Sequence, residues 1–259
     1  MRLATFNILH GMALPAGTVS APLLRSAVST LDADVLGLQE VDRNQPRSAG
    51  VDQTAEAAEA LGAAGWRFAP TLTGTPGESW RGVADGEPLP AAARAYGIGL
   101  ISRYPVRRWH VLRMRGAPGR SPIVVPGARR RPPKVLLLPD EPRAVLAAEV
   151  DSPHGTVTIA TTHLSFTPGW NVWQLRRAVR ALRMLPGPRI LLGDFNLPGP
   201  VPRWLTGWRA LVDAPTYPVG EPRLQIDHVL ADGPMPPVHA AYSVTGDVSD
   251  HLGLVVDLG

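Results

Sequence analysis

Six short motifs in this chain place a carboxylate, a carboxamide or an imidazole where an apolar run ends or begins. Asn7 follows Leu3-Ala4-Thr5-Phe6, and Glu40 follows Val35-Leu36-Gly37-Leu38-Gln39. His163 follows the run from Val157 to Ala160, and Asp194 and Asn196 follow Ile190-Leu191-Leu192-Gly193. Asp227 precedes His228-Val229-Leu230, while Asp250 and His251 precede Leu252-Gly253-Leu254-Val255-Val256. Such runs read as strands, so the polar groups stand at strand ends. Strand ends on one edge of a sheet stack can converge. The donors are mostly oxygen, which suits a hard divalent cation such as Mg²⁺ or Mn²⁺. The chain has no Cys, which excludes thiolate metal sites, disulfides and cysteine nucleophiles. Few His are closely spaced, which argues against zinc.

Each motif alone has a plainer reading. A single strand-end Asn such as Asn7 commonly bonds nearby backbone. Asp194-Phe195-Asn196 is good turn sequence. Glu40 alone reads as a surface acid, and His163 as a half-buried imidazole. Asp227 reads as a cap or a partner for Arg, and Asp250 as a turn acid. Six such sites in one chain outweigh those readings.

The elements that must hold these residues follow from periodicity. Strands are predicted at 3–9, 34–39, 66–72, 96–102, 106–112, 144–150, 156–162, 189–192, 226–230, 238–244 and 253–258. Residues 144–150 and 156–162 form a predicted hairpin turning at Ser152-Pro153-His154-Gly155. Helices are predicted at 19–31, 54–61 and 170–185, the last with an Arg-rich outer face. Helices interspersed with many strands give an α/β or α+β class. The 259 residues show no internal repeat and read as one domain, 1–259. Stretches 73–95 and 113–142 are rich in Gly, Pro and Arg and read as long surface loops. Trp66 reads as core, and Trp80 and Trp170 as exposed.

Composition is that of an ordinary soluble protein, with 44% hydrophobic and 19% charged residues. Net charge is +4, and all but one of the 26 basic residues are Arg, the exception being Lys134. Arg keeps its charge far above neutral pH, so the high pI is not in itself evidence for a nucleic-acid partner. Nine basic residues and no acid lie in 107–134. That run reads either as a solvated mobile loop or as a basic flap beside an anionic substrate. No apolar run approaches the roughly 20 residues of a membrane span. The N-terminus enters a strand-like run without signal-peptide features. The expectation is a cytoplasmic, monomeric protein.

The motifs together resemble the endonuclease/exonuclease/phosphatase superfamily, which includes pancreatic deoxyribonuclease, abasic-site endonucleases, inositol-phosphate 5-phosphatases and neutral sphingomyelinases. The resemblance rests on Thr5-Phe6-Asn7, Leu38-Gln39-Glu40-Val41-Asp42, Thr162-His163-Leu164, Gly193-Asp194-Phe195-Asn196, Ile226-Asp227-His228 and Ser249-Asp250-His251. Val41-Asp42-Arg43, followed by Arg47-Ser48 and Gly50-Val51-Asp52-Gln53, resembles a bacterial branch of unassigned substrate.

The resemblance implies a four-layer αββα sandwich of two mainly antiparallel sheets flanked by helices, with the site at one rim. It implies Glu40 as direct metal ligand, with Asn7 and Asp250 completing or orienting the metal's water shell. Asp194, helped by Asn196, would position and deprotonate the attacking water. His251, held by Asp227, would stabilise phosphoryl charge or protonate the leaving group. His163 and Arg143 would contact the phosphate. The implied activity is Mg²⁺- or Mn²⁺-dependent hydrolysis of a phosphodiester, in nucleic acid, lipid or a small ester. The alternative is a phosphomonoesterase on an inositol-phosphate-like or lipid-linked phosphate. A non-catalytic phosphate-binding homologue is a third reading, against which the intact acids argue. One departure stands out. Ile98 falls where the family usually has Asn or Glu, which leaves the partner of His163 open, with His10 as one candidate.

Overall fold

The apolar runs that end in acids, Asn or His fold as strands. The computed structural model describes residues 1–125 and 134–259. Its elements begin with β1 (Arg2–Asn7), β2 (Met12–Ala13), β3 (Thr18–Val19), α1 (Ala21–Leu31), β4 (Val35–Arg43), α2 (Gln53–Leu61), β5 (Gly65–Gly74) and β6 (Trp80–Gly82). They continue as β7 (Ala95–Ser102), β8 (Val106–Met114), β9 (Arg120–Val125), β10 (Lys134–Pro139), β11 (Arg143–Ser152), β12 (Gly155–His163) and α3 (Trp170–Leu182). The last are β13 (Arg189–Asp194), α4 (Val201–Thr206), β14 (Arg209–Ala210), β15 (Asp227–Asp232), β16 (Val238–Val244) and β17 (Gly253–Leu258).

Two sheets carry the fold, ordered β16-β17-β1-β4-β7-β5-β6 and β14-β15-β13-β12-β11-β8. Each holds one parallel pair, β1 with β4 and β12 with β13, and its other neighbours are antiparallel. A parallel pair needs a crossover, and α1 and α3 supply the two. Parallel pairing sends both C-terminal ends to one edge. Asn7 therefore lies beside Gln39, and His163 beside Asp194. β15 runs antiparallel to β13 and so starts where β13 ends, with Asp227 opposite Asp194. β17 runs antiparallel to β1, so the turn before it, with Asp250 and His251, meets the end of β1.

Side-chain alternation does the rest. Leu3, Ile159, Ile190, Leu192, Val229 and Leu254 point into the core between the sheets. Two or four residues along the same strands, Asn7, His163, Asp194 and Asp227 share that inward face at the rim. The opposite faces are covered by α1 and α2 over Phe6, Leu36 and Leu38, and by α3 and α4 over Ala160, Leu191 and Leu230. The result is the expected four-layer αββα sandwich.

The sheets approach closely at Gly37. A Cβ on Gly37 would lie 2.2 Å from Leu192 Cδ1 and 2.6 Å from Thr161 Oγ1. Beside it, Gln39 Nε2 donates to Thr5 Oγ1 at 3.0 Å and to Thr161 Oγ1 at 2.9 Å, joining the sheets through a buried polar bridge. Gly193 combines a φ of 142° with a Cβ position 1.9 Å from Thr162 O. No side chain fits there. Gly193→Ala is expected to cost about 2–5 kcal/mol through strain and overpacking. The check is a lower urea midpoint at unchanged slope.

Five expectations change, for two stretches and three tryptophans. The 113–142 stretch, expected as a loop, contains β9 and β10, which pair antiparallel with Lys134 opposite Val125. Branched apolar runs, Ile123-Val124-Val125 and Val135-Leu136-Leu137, make the hairpin, and the surrounding Pro and Arg masked that signal. Arg129, Arg130 and Arg131 of the basic run lie outside the described residues. The 73–95 stretch is mostly loop but opens with β6 pairing on β5. Trp66 is 42% exposed rather than core. It shares a strand face with Phe68, where the helices cover the sheet only in part. Trp80 and Trp170, expected exposed, are half-buried. No helix among the described residues is long and apolar enough to cross a membrane.

Candidate active site

Asp194 is the hub of the rim. Its Oδ2 accepts from Asn7 Nδ2 at 3.0 Å and lies 3.5 Å from His163 Nε2 and 3.9 Å from His251 Nε2. Its Oδ1 accepts from the backbone N–H of Asn196 at 2.9 Å. Asn7 Nδ2 also donates to Glu40 Oε1 at 3.1 Å, while Asn7 Oδ1 accepts from Leu9 N. The backbone donor selects the amide oxygen, so the amide nitrogen faces both carboxylates. Asn7 thus links the end of each sheet.

Local backbone strain aims these groups. Glu40 has a φ of 57° and sits in a bulge where Gln39 and Glu40 together oppose Ile98. The bulge breaks alternation and turns the Glu40 side chain toward the rim. Asn196 at φ 50° and Ser249 at φ 83° are also left-handed. Non-glycine residues in that region cost about 1–3 kcal/mol and persist only where surroundings enforce them. The enforcing bonds are present. Ser249 Oγ donates to Asn7 O and accepts from His251 N. Asn196 Nδ2 donates to Leu164 O at 3.0 Å, and Asn171 Nδ2 donates to Asn196 O at 2.9 Å. Asn196 therefore positions Asp194 through its backbone while its side chain anchors the turn.

The two histidines sit in opposite electrostatic states. Burial opposes protonation of His251, but the charge of Asp227 and a 2.9 Å hydrogen bond from Nδ1 to its Oδ2 outweigh it. The imidazole is raised to about 10 and stays cationic at neutral pH. His163 is held well below its ordinary value by burial, by Arg143 and by His251, so it is neutral. Asp194 is raised to about 7, first by burial and then by Asp227. Glu40 is raised by burial, with the Asp250 charge adding to it.

Arg143 is 5% exposed beside this group. It pairs with Asp140 at 3.2 Å and lies 3.9 Å from Glu141, and its Nε has no partner among the described residues. Asp227 is fully buried, with Oδ2 on His251 and Oδ1 without a partner among the described residues. The structure thus gathers Asn7, Glu40, His163, Asp194, Asn196, Asp227 and His251 at one rim. Asp250 is close enough to act on Glu40, Tyr217 and His251. Arg143 is close enough to act on His163.

Ile98 is 2% exposed and belongs to the core between the sheets. The neighbour of His163 is Asp194. His10 is not that neighbour: it is buried and lowered to about 4 by burial and then by Arg47. Sequence reasoning passed over three residues that line the rim. Tyr96 is buried near Glu40 and Arg143, with the Arg47 guanidinium 5.6 Å from its ring centroid. The Tyr217 ring lies 5.0 Å from that of His251, and Asn171 anchors the Asn196 turn. Tyr96 and Asn171 lie inside predicted elements, where an aromatic or a carboxamide carries no separate signal, and Tyr217 lies in the unpatterned stretch before the 226–230 strand.

Asp194, Asp227 and His251 each present a possible ligand atom within 4.8 Å of the others. In that trio His251 is cationic and its Nδ1 is engaged, which suits proton transfer rather than metal ligation. Glu40 and Asp250 add a second pair of carboxylates, with the Asn7 amide nitrogen donating to Glu40, and the Asp250 charge already disfavours the charged form of Glu40. Such a set fits a hard divalent cation, which would relieve that repulsion.

Several solved structures share this fold. The chain is similar to the endonuclease/exonuclease/phosphatase from Beutenbergia cavernae DSM 12333, with 26% identity and a TM-score of 0.63 over 100% of this chain and 72% of that one. It is similar to a mannosyl-6-phosphatase from Bacteroides thetaiotaomicron VPI-5482, with 15% identity, a TM-score of 0.60, and 100% and 99% covered. It is also similar to the human Nocturnin catalytic domain, with 16% identity, a TM-score of 0.58, and 100% and 94% covered. No curated protein matches the sequence. A model of the Endonuclease/Exonuclease/phosphatase family matches residues 4–251, a span that takes in every rim residue from Asn7 to His251. The chain belongs to the endonuclease/exonuclease/phosphatase family.

Proposed function

We propose that the chain hydrolyses a phosphodiester bond with a divalent cation, Mg²⁺ or Mn²⁺, held by Glu40, with Asn7 and Asp250 completing or orienting its water shell. The observation that carries this reading is the contrast within one rim. A carboxylate raised to about 7 lies 3.9 Å from an imidazole raised to about 10. Two titratable groups with such different environments suit base and acid roles. Asp194 takes a proton from the attacking water, its carboxylate fixed by Asn7 and by the Asn196 N–H. His251, held by Asp227, donates a hydrogen bond or a proton to the phosphoryl or leaving oxygen. Neutral His163 and cationic Arg143 hold the phosphoryl oxygens. The bound cation supplies Lewis-acid neutralisation of the phosphoryl charge.

The substrate test is a panel of plasmid DNA, RNA, bis-p-nitrophenyl phosphate, its mono-ester analogue and phospholipids, each with Mg²⁺ and with EDTA. The reading expects diester turnover that EDTA abolishes. Turnover of the mono-ester alone would replace it with the phosphomonoesterase alternative.

The pH profile follows from the two shifts. The base is competent only when deprotonated, so kcat/KM climbs with pH through the Asp194 value of about 7. The acid is competent only when protonated, so kcat/KM falls above about 10. A bound cation favours the carboxylate form and moves the rising limb below 7. A falling limb near the ordinary histidine value would contradict the Asp227–His251 assignment.

A further inference from the structure

Helix α3 starts at the rim and runs away from it. Asn171 bonds the Asn196 turn, and Trp170 Nε1 donates to Arg115 O at 3.1 Å. From Trp170 to Arg180 the helix rises about 15 Å. Its outer face carries Trp173, Arg176, Arg177 and Arg180, and the helix has no acid. Arg176 and Arg180 are four residues apart, and Arg177 and Arg180 three. Like charges at those spacings destabilise a helix. None of the three, nor Arg115, has a carboxylate partner among the described residues, whereas Arg2, Arg25, Arg107 and Arg189 do.

The aromatic rings on this face are interleaved with guanidinium groups. Arg115 lies 5.5 Å from the Trp170 ring centroid and Arg177 lies 5.7 Å from that of Trp173. The two indoles are 4.9 Å apart. Three clefts join end to end along the face. The first, about 250 Å³, lies among Trp173, Arg176, Arg177 and Arg180. The next, about 350 Å³, shares Trp173 and Arg177 and adds Arg113, Met114 and Arg115. The third shares Arg113, Met114 and Arg115 and ends on Pro142 and Arg143. Among the described residues that line the groove, the one acid is Asp85, 3.8 Å from Arg113.

We propose that this groove is a track for single-stranded nucleic acid leading to the rim. A linear polyanion matches a continuous run of guanidiniums, and an indole between them offers a stacking face for an unpaired base. Duplex bases are already stacked and cannot use it. A lipid surface calls for protruding apolar side chains, whereas here the indoles are flanked by charge along a concave path. The track rests on the phosphodiesterase reading only for what happens at its end. Binding along it is independent of turnover.

The test is fluorescence anisotropy of a labelled oligothymidylate with the full chain in EDTA. A duplex of equal length and vesicles of phosphatidylcholine with phosphatidylserine are the comparison arms. The single strand is expected to bind best. Trp173→Ala should weaken it about tenfold. Arg176→Glu with Arg180→Glu should flatten the dependence of log K on log salt by about 1.4. Both variants should keep wild-type turnover of bis-p-nitrophenyl phosphate. Wild-type oligonucleotide affinity in both variants would overturn the track. So would preference for the duplex, or vesicle binding lost in the variants without oligonucleotide binding. If the wild type turns over no diester of the panel with Mg²⁺, the proposed function fails while the binding result still decides the track.

Discussion

Asp194→Asn is expected to lower diester turnover by about 10²–10⁴-fold, the usual worth of a general base. The substitution keeps an oxygen for the Asn196 N–H but turns an amide toward Asn7 Nδ2. It removes the carboxylate that receives the water's proton. The fold should survive, because Asp194 is raised to about 7, above its unfolded value. A group raised on folding contributes stability below its unfolded value and loses it as pH rises through the folded one. Above pH 7 the native chain carries an unfavourable buried charge that the variant lacks. The metal-free variant should therefore unfold at the same temperature as the wild type or a higher one at pH 8. A variant that is folded and still turns over at near-wild-type rates would remove Asp194 from the mechanism.

Glu40→Gln is expected to cost about 10²-fold or more at fixed Mg²⁺, since Lewis-acid assistance is worth several kcal/mol. A readout without turnover separates binding from chemistry. A ligand of the native state alone stabilises by mass action, about 2.7 kcal/mol at a hundred times its Kd. Mg²⁺ or Mn²⁺ should raise the melting temperature of the wild type and leave that of Glu40→Gln unchanged. An equal rise in both would place the cation elsewhere. Because Glu40 adopts φ 57°, Glu40→Gly should recover stability even as activity is lost.

Most of the fold was legible because branched apolar runs with period two leave little choice. The same alternation puts Asn7, His163, Asp194 and Asp227 on the inward face, so their convergence follows once the strands pair. What could not be read depends on contacts between strands. The sequence ends the predicted strand at Gln39, whereas β4 runs on to Arg43, and only pairing with β7 reveals the bulge that aims Glu40. The sequence leaves the partner of His163 open, because Ile98 stands where the family usually has Asn or Glu. That position is core, and the imidazole meets Asp194 instead, because β12 and β13 lie side by side in parallel register. Tyr96 and Tyr217 look like packing residues until the acids and His251 around them are placed. The β9–β10 hairpin was concealed by the Pro and Arg that crowd its apolar runs.

The most direct test is the rate of bis-p-nitrophenyl phosphate hydrolysis by the wild type and Asp194→Asn, each with Mg²⁺ and with EDTA. The proposed chemistry predicts product from the metal-loaded wild type alone. Equal product from the variant, or from the wild type in EDTA, would contradict it.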